Sequence, residues 1–340
     1  MKILVDATTV SRGGGVSTHI VMILKNFTDR NNRYFVLISK REVKDIIERN
    51  DFIYITVPFF NSFTKFFYEQ LIFPILALIL KVDLFYMPKQ NSTFFKFYKI
   101  VSTLHDFIPE KKSSGENVFT RLYWKIEYNI ISQRSDGIIF ITKNCKDLYS
   151  KRFKNLNSKK SKVIYNGFDT YKKYEDQKEY YILIPSTLKA RKNINLSLKL
   201  ANDLIKVFKD KKILITGRMD DKNLKNIVEK HDYRGYIPFF DFEKVINDSF
   251  LIIYLSDDEG FSLPVAEGIH LGKRVLCMDI PVHREIYKDM PIYYIKDLSY
   301  KENLERIVEK IKGEVNYEEG CKRWKDCSKE TEEFFRDFKR

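Results

Sequence analysis

The sequence predicts an α/β protein of two domains, each a parallel sheet with helices on both faces. Three observations carry this. Short apolar runs rich in strand formers alternate with helix-periodic segments along the whole chain, the pattern of successive βα units. The alternation pauses once, at residues 170–179, which hold no aliphatic side chain and read as a linker. Finally, 340 residues are long for one core and comfortable for two domains of about 150 to 170 residues each.

The first strand is Lys2-Ile3-Leu4-Val5-Asp6, and Ser11-Arg12-Gly13-Gly14-Gly15-Val16 leads from it into a helical segment reaching about Phe27. A glycine loop between strand and helix is either a phosphate-binding corner or a tight connection. Three contiguous glycines are not the spaced G-x-G-x-x-G of a dinucleotide site. Residues 34–39, 52–57, 83–87 and 99–104 supply further strands, with helical segments at 41–50 and 62–81. Residues 59–80 are dense in Phe, Tyr, Ile and Leu, with Lys65 and Glu69 at i, i+4. Such a segment suits an amphipathic helix packed on the sheet or one lying on a membrane surface. His105-Asp106-Phe107-Ile108-Pro109 follows a strand end, where open α/β sheets bind ligands. Residues 137–142 and 143–150 repeat strand then helix, and 163–169 close the first domain.

Residues 180–185 open the second domain as a strand, and Thr187-Leu188-Lys189-Ala190-Arg191-Lys192-Asn193 lead into a helix over 194–208. Two cations at a helix start oppose its dipole unless an anion intervenes; as solvated surface charges they need no such partner. Residues 212–218 and 233–237 give two more strands, 250–255 and 273–277 another two, and 301–340 are charged and helical.

The chain is organised around Ser256-Asp257-Asp258-Glu259-Gly260-Phe261-Ser262-Leu263-Pro264-Val265-Ala266-Glu267-Gly268, a loop and helix start behind the strand 250–255. Pro264 suits a first helical turn, so the N–H groups from about Gly260 to Val265 fall at the helix N-terminus, unpaired and turned outward. Such an end attracts a phosphate or a polarised hydroxyl, and Gly260 lets a ligand approach the main chain. Glu259 and Glu267 flank this corner and face one site, although acids around a first turn also complement the macrodipole by themselves.

At 44% apolar and 31% charged the chain is soluble and globular. Cys145, Cys277, Cys321 and Cys327 form no CxxC pair and no zinc spacing, which fits a reducing cytoplasm. No signal peptide is read, because Asp6 interrupts the first apolar run, and the longest uncharged apolar run, 71–80, is too short to span a bilayer. Residues 1–170 hold 27 Lys and Arg against 15 Asp and Glu, whereas 171–340 hold 33 against 31. A basic first half without any nucleic-acid module points to an anionic membrane surface and not to nucleic acid.

The stretch from Glu259 to Glu267 resembles the E-x7-E signature of retaining glycosyltransferases of family 4, which runs roughly Ser-x-x-Glu-Gly-Phe-Gly-Leu-Pro-x-x-Glu-Ala. Bacterial polysaccharide and O-antigen mannosyltransferase-like members are the ones it is similar to. Gly14-Gly15-Val16 resembles the family's Gly-Gly-Val loop, Thr103 to Pro109 its Thr-x-His-Asp-x-x-Pro pattern, Asn166 to Asp169 its Asn-Gly-x-Asp border, and Thr187 to Asn193 its Thr-x-x-x-Arg-Lys-Asn segment. Ser262 and Gly268 stand where Gly and Ala are commoner, and Leu255 where Pro is frequent. Ser186-Thr187-Leu188 lacks a further diphosphate-binding Arg found in some relatives.

The resemblance implies a GT-B fold, two Rossmann-like domains facing across a cleft. Residues 1–169 would form the acceptor-side domain, 170–179 the linker, 180–325 the donor-nucleotide domain, and 326–340 a helix crossing back to the first domain. It implies retaining transfer of a hexosyl group from a GDP- or UDP-sugar to a glycan or lipid-linked glycan, with no metal and no other cofactor, on the cytoplasmic side and peripheral to the membrane. Catalysis would fall to Glu259, His105 and Asp106. Donor binding would fall to Gly14, Gly15, Arg191, Lys192, Ile237, Gly260, Phe261, Ser262, Leu263 and Glu267. Two other readings are a catalytically inactive sugar-nucleotide-binding partner and a basic polyanion- or nucleic-acid-binding protein.

Overall fold

The apolar runs pair in parallel into two separate sheets. The structure is a computed structural model and describes residues 1–58, 62–169, 179–290, 292–296, 301, 303–313 and 322–339. The chain divides into two units: Met1–Glu110, Asn117–Gly167 and Lys322–Arg340 form the first, and Lys111–Glu116 with Phe168–Cys321 the second. The first unit is therefore not one continuous stretch. The short segment 111–116 joins the second unit, where Lys111 pairs with Asp258 at 2.5 Å and Lys189 with Glu116 at 2.8 Å. Of the linker 170–179, all but Glu179 lies outside the described residues.

In the first unit β1 (Lys2–Asp6), β2 (Arg33–Ile38), β3 (Ile53–Thr56), β4 (Leu84–Met87), β5 (Lys99–Leu104), β6 (Gly137–Phe140) and β7 (Lys160–Val163) pair in the order β3-β2-β1-β4-β5-β6-β7. The helices α1 (Gly15–Lys25), α2 (Glu42–Ile47), α3 (Ser62–Phe67), α4 (Phe73–Ile79), α5 (Val118–Arg134) and α6 (Lys143–Arg152) connect them. Strand order reverses between β1 and β4, which opens a crevice at their carboxyl ends. The 62–81 helix is interrupted: Tyr68–Ile72 form a π turn just before Pro74 in the first turn of α4. Proline has no N–H to donate, and the wider turn lets α4 begin afresh there. Phe73 and Ala77 enter a core with Leu4, Phe85 and Met87, and Ile75, Leu78 and Ile79 stay exposed. Residues 59–61 of this segment lie outside the described residues.

In the second unit β8 (Tyr181–Pro185), β9 (Lys212–Thr216), β10 (Asp232–Tyr233), β11 (Ser249–Tyr254), β12 (Arg274–Met278) and β13 (Ile292–Ile295) pair in the order β10-β9-β8-β11-β12-β13. The helices are α7 (Ile194–Val207), α8 (Lys225–Val228), α9 (Phe239–Asn247), α10 (Leu263–His270), α11 (Pro281–Tyr287) and α12 (Leu304–Lys312). One face of α7, with Ile194, Leu198, Ala201 and Leu204, closes over Ile182, Ile213 and Ile253 in a single apolar core. Here the reversal falls between β8 and β11, so the loops behind these two strands share the crevice. The strand expected at 233–237 is only Asp232–Tyr233, with coil beyond. Gly217 ends β9 at φ 118°, and a Cβ there would lie 1.9 Å from the Ser186 carbonyl oxygen. The last helix, α13 (Trp324–Arg336), belongs to the first unit, where Glu332 accepts from the Thr28 and Asp29 N–H groups and the Tyr34 hydroxyl at 2.9, 3.0 and 2.7 Å.

Candidate active site

The loops behind β8 and β11 are tied together: the Asp257 N–H donates to the Arg191 carbonyl at 3.0 Å, and Asn193 Nδ2 to Asp257 Oδ1 at 2.6 Å. Arg191 and Lys192 lie in a 3-10 turn, Ala190–Lys192, ahead of α7. Oε1 of Glu259 receives Lys192 Nζ, Arg191 Nη1 at 3.1 Å and the Tyr254 hydroxyl at 3.2 Å. Lys192 Nζ also reaches the Tyr254 hydroxyl at 2.6 Å, and Arg191 Nη1 the Asp258 carbonyl at 2.7 Å. The anion that excuses two cations at a helix start is thus one of the protein's own carboxylates. Burial alone would raise the Glu259 pKa, but Lys192 and Arg191 outweigh it and hold the group at about 2. Glu259 is ionised throughout the physiological range and cannot serve as a proton donor there.

Beyond Glu259 the chain turns sharply. Ser262 has φ 73° and ψ 64°, and Pro264 opens α10 as expected. The N–H groups of Val265 and Ala266 both donate to the Ser262 carbonyl, at 3.0 and 3.2 Å, so Val265 drops out of the expected run of unpaired donors. Among the described residues no acceptor meets the N–H groups of Gly260, Phe261 and Ser262. Leu263 is the first residue of α10 and is buried. Tyr287 of α11 donates its hydroxyl to the carbonyls of Phe261 and Ser262, at 2.8 and 3.0 Å.

Glu267 lies in α10, buried, with Glu243 of α9 as its charged neighbour. Burial first and then Glu243 push its pKa up to about 8, so the two signature glutamates stand in opposite protonation regimes. Burial, then Cys277, Tyr254 and both glutamates, raise the Tyr287 hydroxyl well above its ordinary value. Ile237 is half-buried in the coil after β10. Nearby, the Gly217 N–H donates to the Gly235 carbonyl at 2.7 Å.

The remaining expected residues belong to the first unit. Gly14 caps α1 at φ 89° and Gly15 is its first residue; open space surrounds a Cβ at Gly14, so the dihedral alone favours glycine. His105 follows β5, buried, its Nε2 2.7 Å from the Pro88 carbonyl oxygen, so that Nε2 donates and Nδ1 is left as an acceptor. Gln90, itself at φ 66°, accepts the N–H groups of both His105 and Asp106 at 2.7 and 2.9 Å. The Asp106 carboxylate receives the Ile108 N–H at 2.8 Å, closing a local turn. His19 of α1 meets the His105 ring edge-on at 4.9 Å and bonds Asn166 at 2.8 Å. Burial lowers His105 to about 4; burial and then His105 lower His19 to about 3, so both imidazoles are neutral.

Two known families match the chain one after the other. Residues 13–172 match Glycosyltransferase Family 4, and residues 168–331 match Glycosyl transferases group 1. The chain belongs to glycosyltransferase family 4. Among curated members of known role, the O-antigen chain mannosyltransferase RfbU of Salmonella typhimurium is 25% identical over 248 residues, covering 64% of this chain and 68% of that protein. The O-antigen biosynthesis glycosyltransferase WclY of Escherichia coli is 28% identical over 206 residues, 56% of this chain and 57% of its own length. The chain thus matches little more than half of WclY. The structure of HepE from Anabaena, solved with UDP and glucose, has a TM-score of 0.68 at 18% identity and covers 92% of this chain and 90% of its own. The shared fold is GT-B.

Sequence reasoning about this glycosyltransferase missed Tyr254, Glu243, His283, Tyr287, His19 and Gln90. Tyr254 passes for an ordinary strand former in an apolar run. His283 and Tyr287, four apart behind Pro281, do carry a signal, since that spacing sets two polar-tipped rings on one helical face.

Proposed function

We propose that the chain is a retaining, metal-independent hexosyltransferase. It moves a sugar from a GDP- or UDP-sugar to a glycan or lipid-linked glycan in surface-polysaccharide assembly of the O-antigen or lipopolysaccharide kind. The observation that carries this is the ionised Glu259 held by Lys192 and Arg191 beside the three unpaired N–H groups of Gly260, Phe261 and Ser262. These donors and cations suit a diphosphate, which would share Arg191 and Lys192 with Glu259 and need no metal to offset its charge. As the bond to phosphate breaks, the departing oxygen takes the acceptor proton on the face of attack. Glu259 stabilises the positive charge that develops on the sugar. Glu267 receives the ribose hydroxyls, and His105, neutral with Nδ1 as acceptor, receives a hydroxyl of the transferred sugar.

The acceptor side is assigned to the first unit, on the cytoplasmic face of a membrane. Supporting this, exposed apolar side chains concentrate there: Phe94, Phe95 and Phe97 around Lys96, and Val118, Phe119, Leu122 and Ile126 on α5. A melting-temperature screen over UDP- and GDP-sugars, run with and without EDTA, tests the reading. One class of sugar nucleotide should stabilise the protein, by about 2.7 kcal/mol at one hundred times its Kd, equally with and without chelator. No stabilisation by any of them, or stabilisation and turnover that EDTA abolishes and one divalent ion restores, would refute it.

A further inference from the structure

The loop of Gly260, Phe261 and Ser262 is held from behind by α11, which lies outside the E-x7-E stretch. Ser262 occupies the left-handed region at φ 73°, which a residue with a Cβ adopts only against steric resistance. Its hydroxyl lies 2.8 Å from Nε2 of His283, and Nδ1 of His283 lies 2.7 Å from the Met278 carbonyl oxygen. A carbonyl oxygen only accepts, so Nδ1 carries the proton, Nε2 is the acceptor, and the Ser262 hydroxyl donates to it. One turn further along α11, Tyr287 grips the Phe261 and Ser262 carbonyls through its hydroxyl. His283 and Tyr287 are both wholly buried.

This arrangement fixes more than a side chain. A trans peptide sets each carbonyl opposite the next N–H, so drawing the Phe261 carbonyl toward Tyr287 turns the Ser262 N–H the other way. We propose that His283 and Tyr287 are positioning residues for the donor diphosphate: α11 locks the left-handed turn at Ser262 and keeps the loop N–H groups aimed at the ligand. The inference rests on the reading of this loop as the diphosphate site. The hydroxyl-to-imidazole bond does for serine what the missing Cβ does for glycine, which makes His283 matter only while residue 262 has a side chain. Donors fixed before the ligand arrives cost no reorganisation on binding, so the gain is read in affinity.

The test is a double-mutant cycle on the full chain, with UDP and GDP each titrated calorimetrically and melting temperatures measured alongside. His283→Phe should weaken nucleotide binding about fivefold or more in the otherwise unchanged protein, and less than about twofold in the Ser262→Gly background. Ser262→Ala, which keeps the Cβ and the histidine but loses the donated bond, should show a loss like that of His283→Phe, and it serves should the latter fold poorly. Tyr287→Phe should weaken binding in both backgrounds. If His283→Phe costs the same affinity with Ser262 and with Ser262→Gly, or lowers only the melting temperature, His283 merely fills the core and the inference falls. If neither UDP nor GDP binds the unsubstituted protein, the donor reading falls first and takes the inference with it.

Discussion

The two signature glutamates differ by charge state, and that difference yields a pH prediction. Glu267 is raised to about 8 by burial and by Glu243, and ribose hydroxyls donate to a carboxylate but not equally to its protonated form. Donor affinity should therefore rise as pH climbs through about 8, and Glu243→Gln should move that rise to lower pH; a flat titration between pH 6 and 9 would exclude this role. The linkage to stability has the opposite sense. A glutamate whose folded pKa is raised contributes stability that is whole below its unfolded value of 4.5 and is lost as pH rises through about 8, so Glu267→Gln should raise the melting temperature most at high pH. Both acids and both cations were picked out by resemblance to the family's motifs, because spacing around a helix start fits macrodipole complementation and solvated surface charge equally well. Sequence alone did not show that Lys192 and Arg191 already hold Glu259, since that contact depends on β8 and β11 being neighbours. Nor did it show the Ser262 turn: only in three dimensions does the serine at a glycine position meet His283.

Among elements, the alternation of apolar runs with helical segments was readable because a parallel sheet buried on both faces needs near-continuous aliphatic strands. The exceptions have separate causes. β7, Lys-Ser-Lys-Val, lies at the sheet edge and needs little apolar content, so it carries no such signal. The π turn at Tyr68–Ile72 answers to Pro74, and α5 interleaves apolar with charged residues and leaves several of its apolar ones exposed. The final helix, by contrast, is held by a buried polar anchor besides the Ser328 hydroxyl on the Ile23 carbonyl and the Arg336–Asp29 pair. Glu332 of α13 takes two main-chain N–H groups and one buried phenol, so Glu332→Ala should cost about 2–4 kcal/mol in urea unfolding, and Glu332→Gln about half as much. A loss below about 0.5 kcal/mol for the alanine variant would mean that the apolar packing of Trp324, Phe334 and Phe335 with the other polar contacts of α13 fastens the helix without Glu332.

At the scale of the whole molecule, net positive charge concentrates in the first half, as does exposed apolar area among the described residues. No helix among the described residues is long and apolar enough to cross a membrane. The protein should nevertheless sediment with anionic vesicles at low salt and release as salt shortens the Debye length to about 3 Å near 1 M. Phe119→Ser with Leu122→Ser should weaken that binding without changing nucleotide affinity. Equal sedimentation with neutral and anionic vesicles would leave the basic half without this role. If one loop and its two glutamates divide donor binding from catalysis, a paired titration and turnover assay of Glu259→Ala and Glu267→Ala separates the two. Glu267→Ala should weaken the stabilising sugar nucleotide by about 1–3 kcal/mol. Glu259→Ala should keep that affinity or tighten it, because Arg191 and Lys192 lose their competing carboxylate, while turnover collapses. If both variants keep affinity and turnover within about twofold of the unsubstituted protein and only the melting temperature falls, the acids merely complement the helix dipole and that division is wrong.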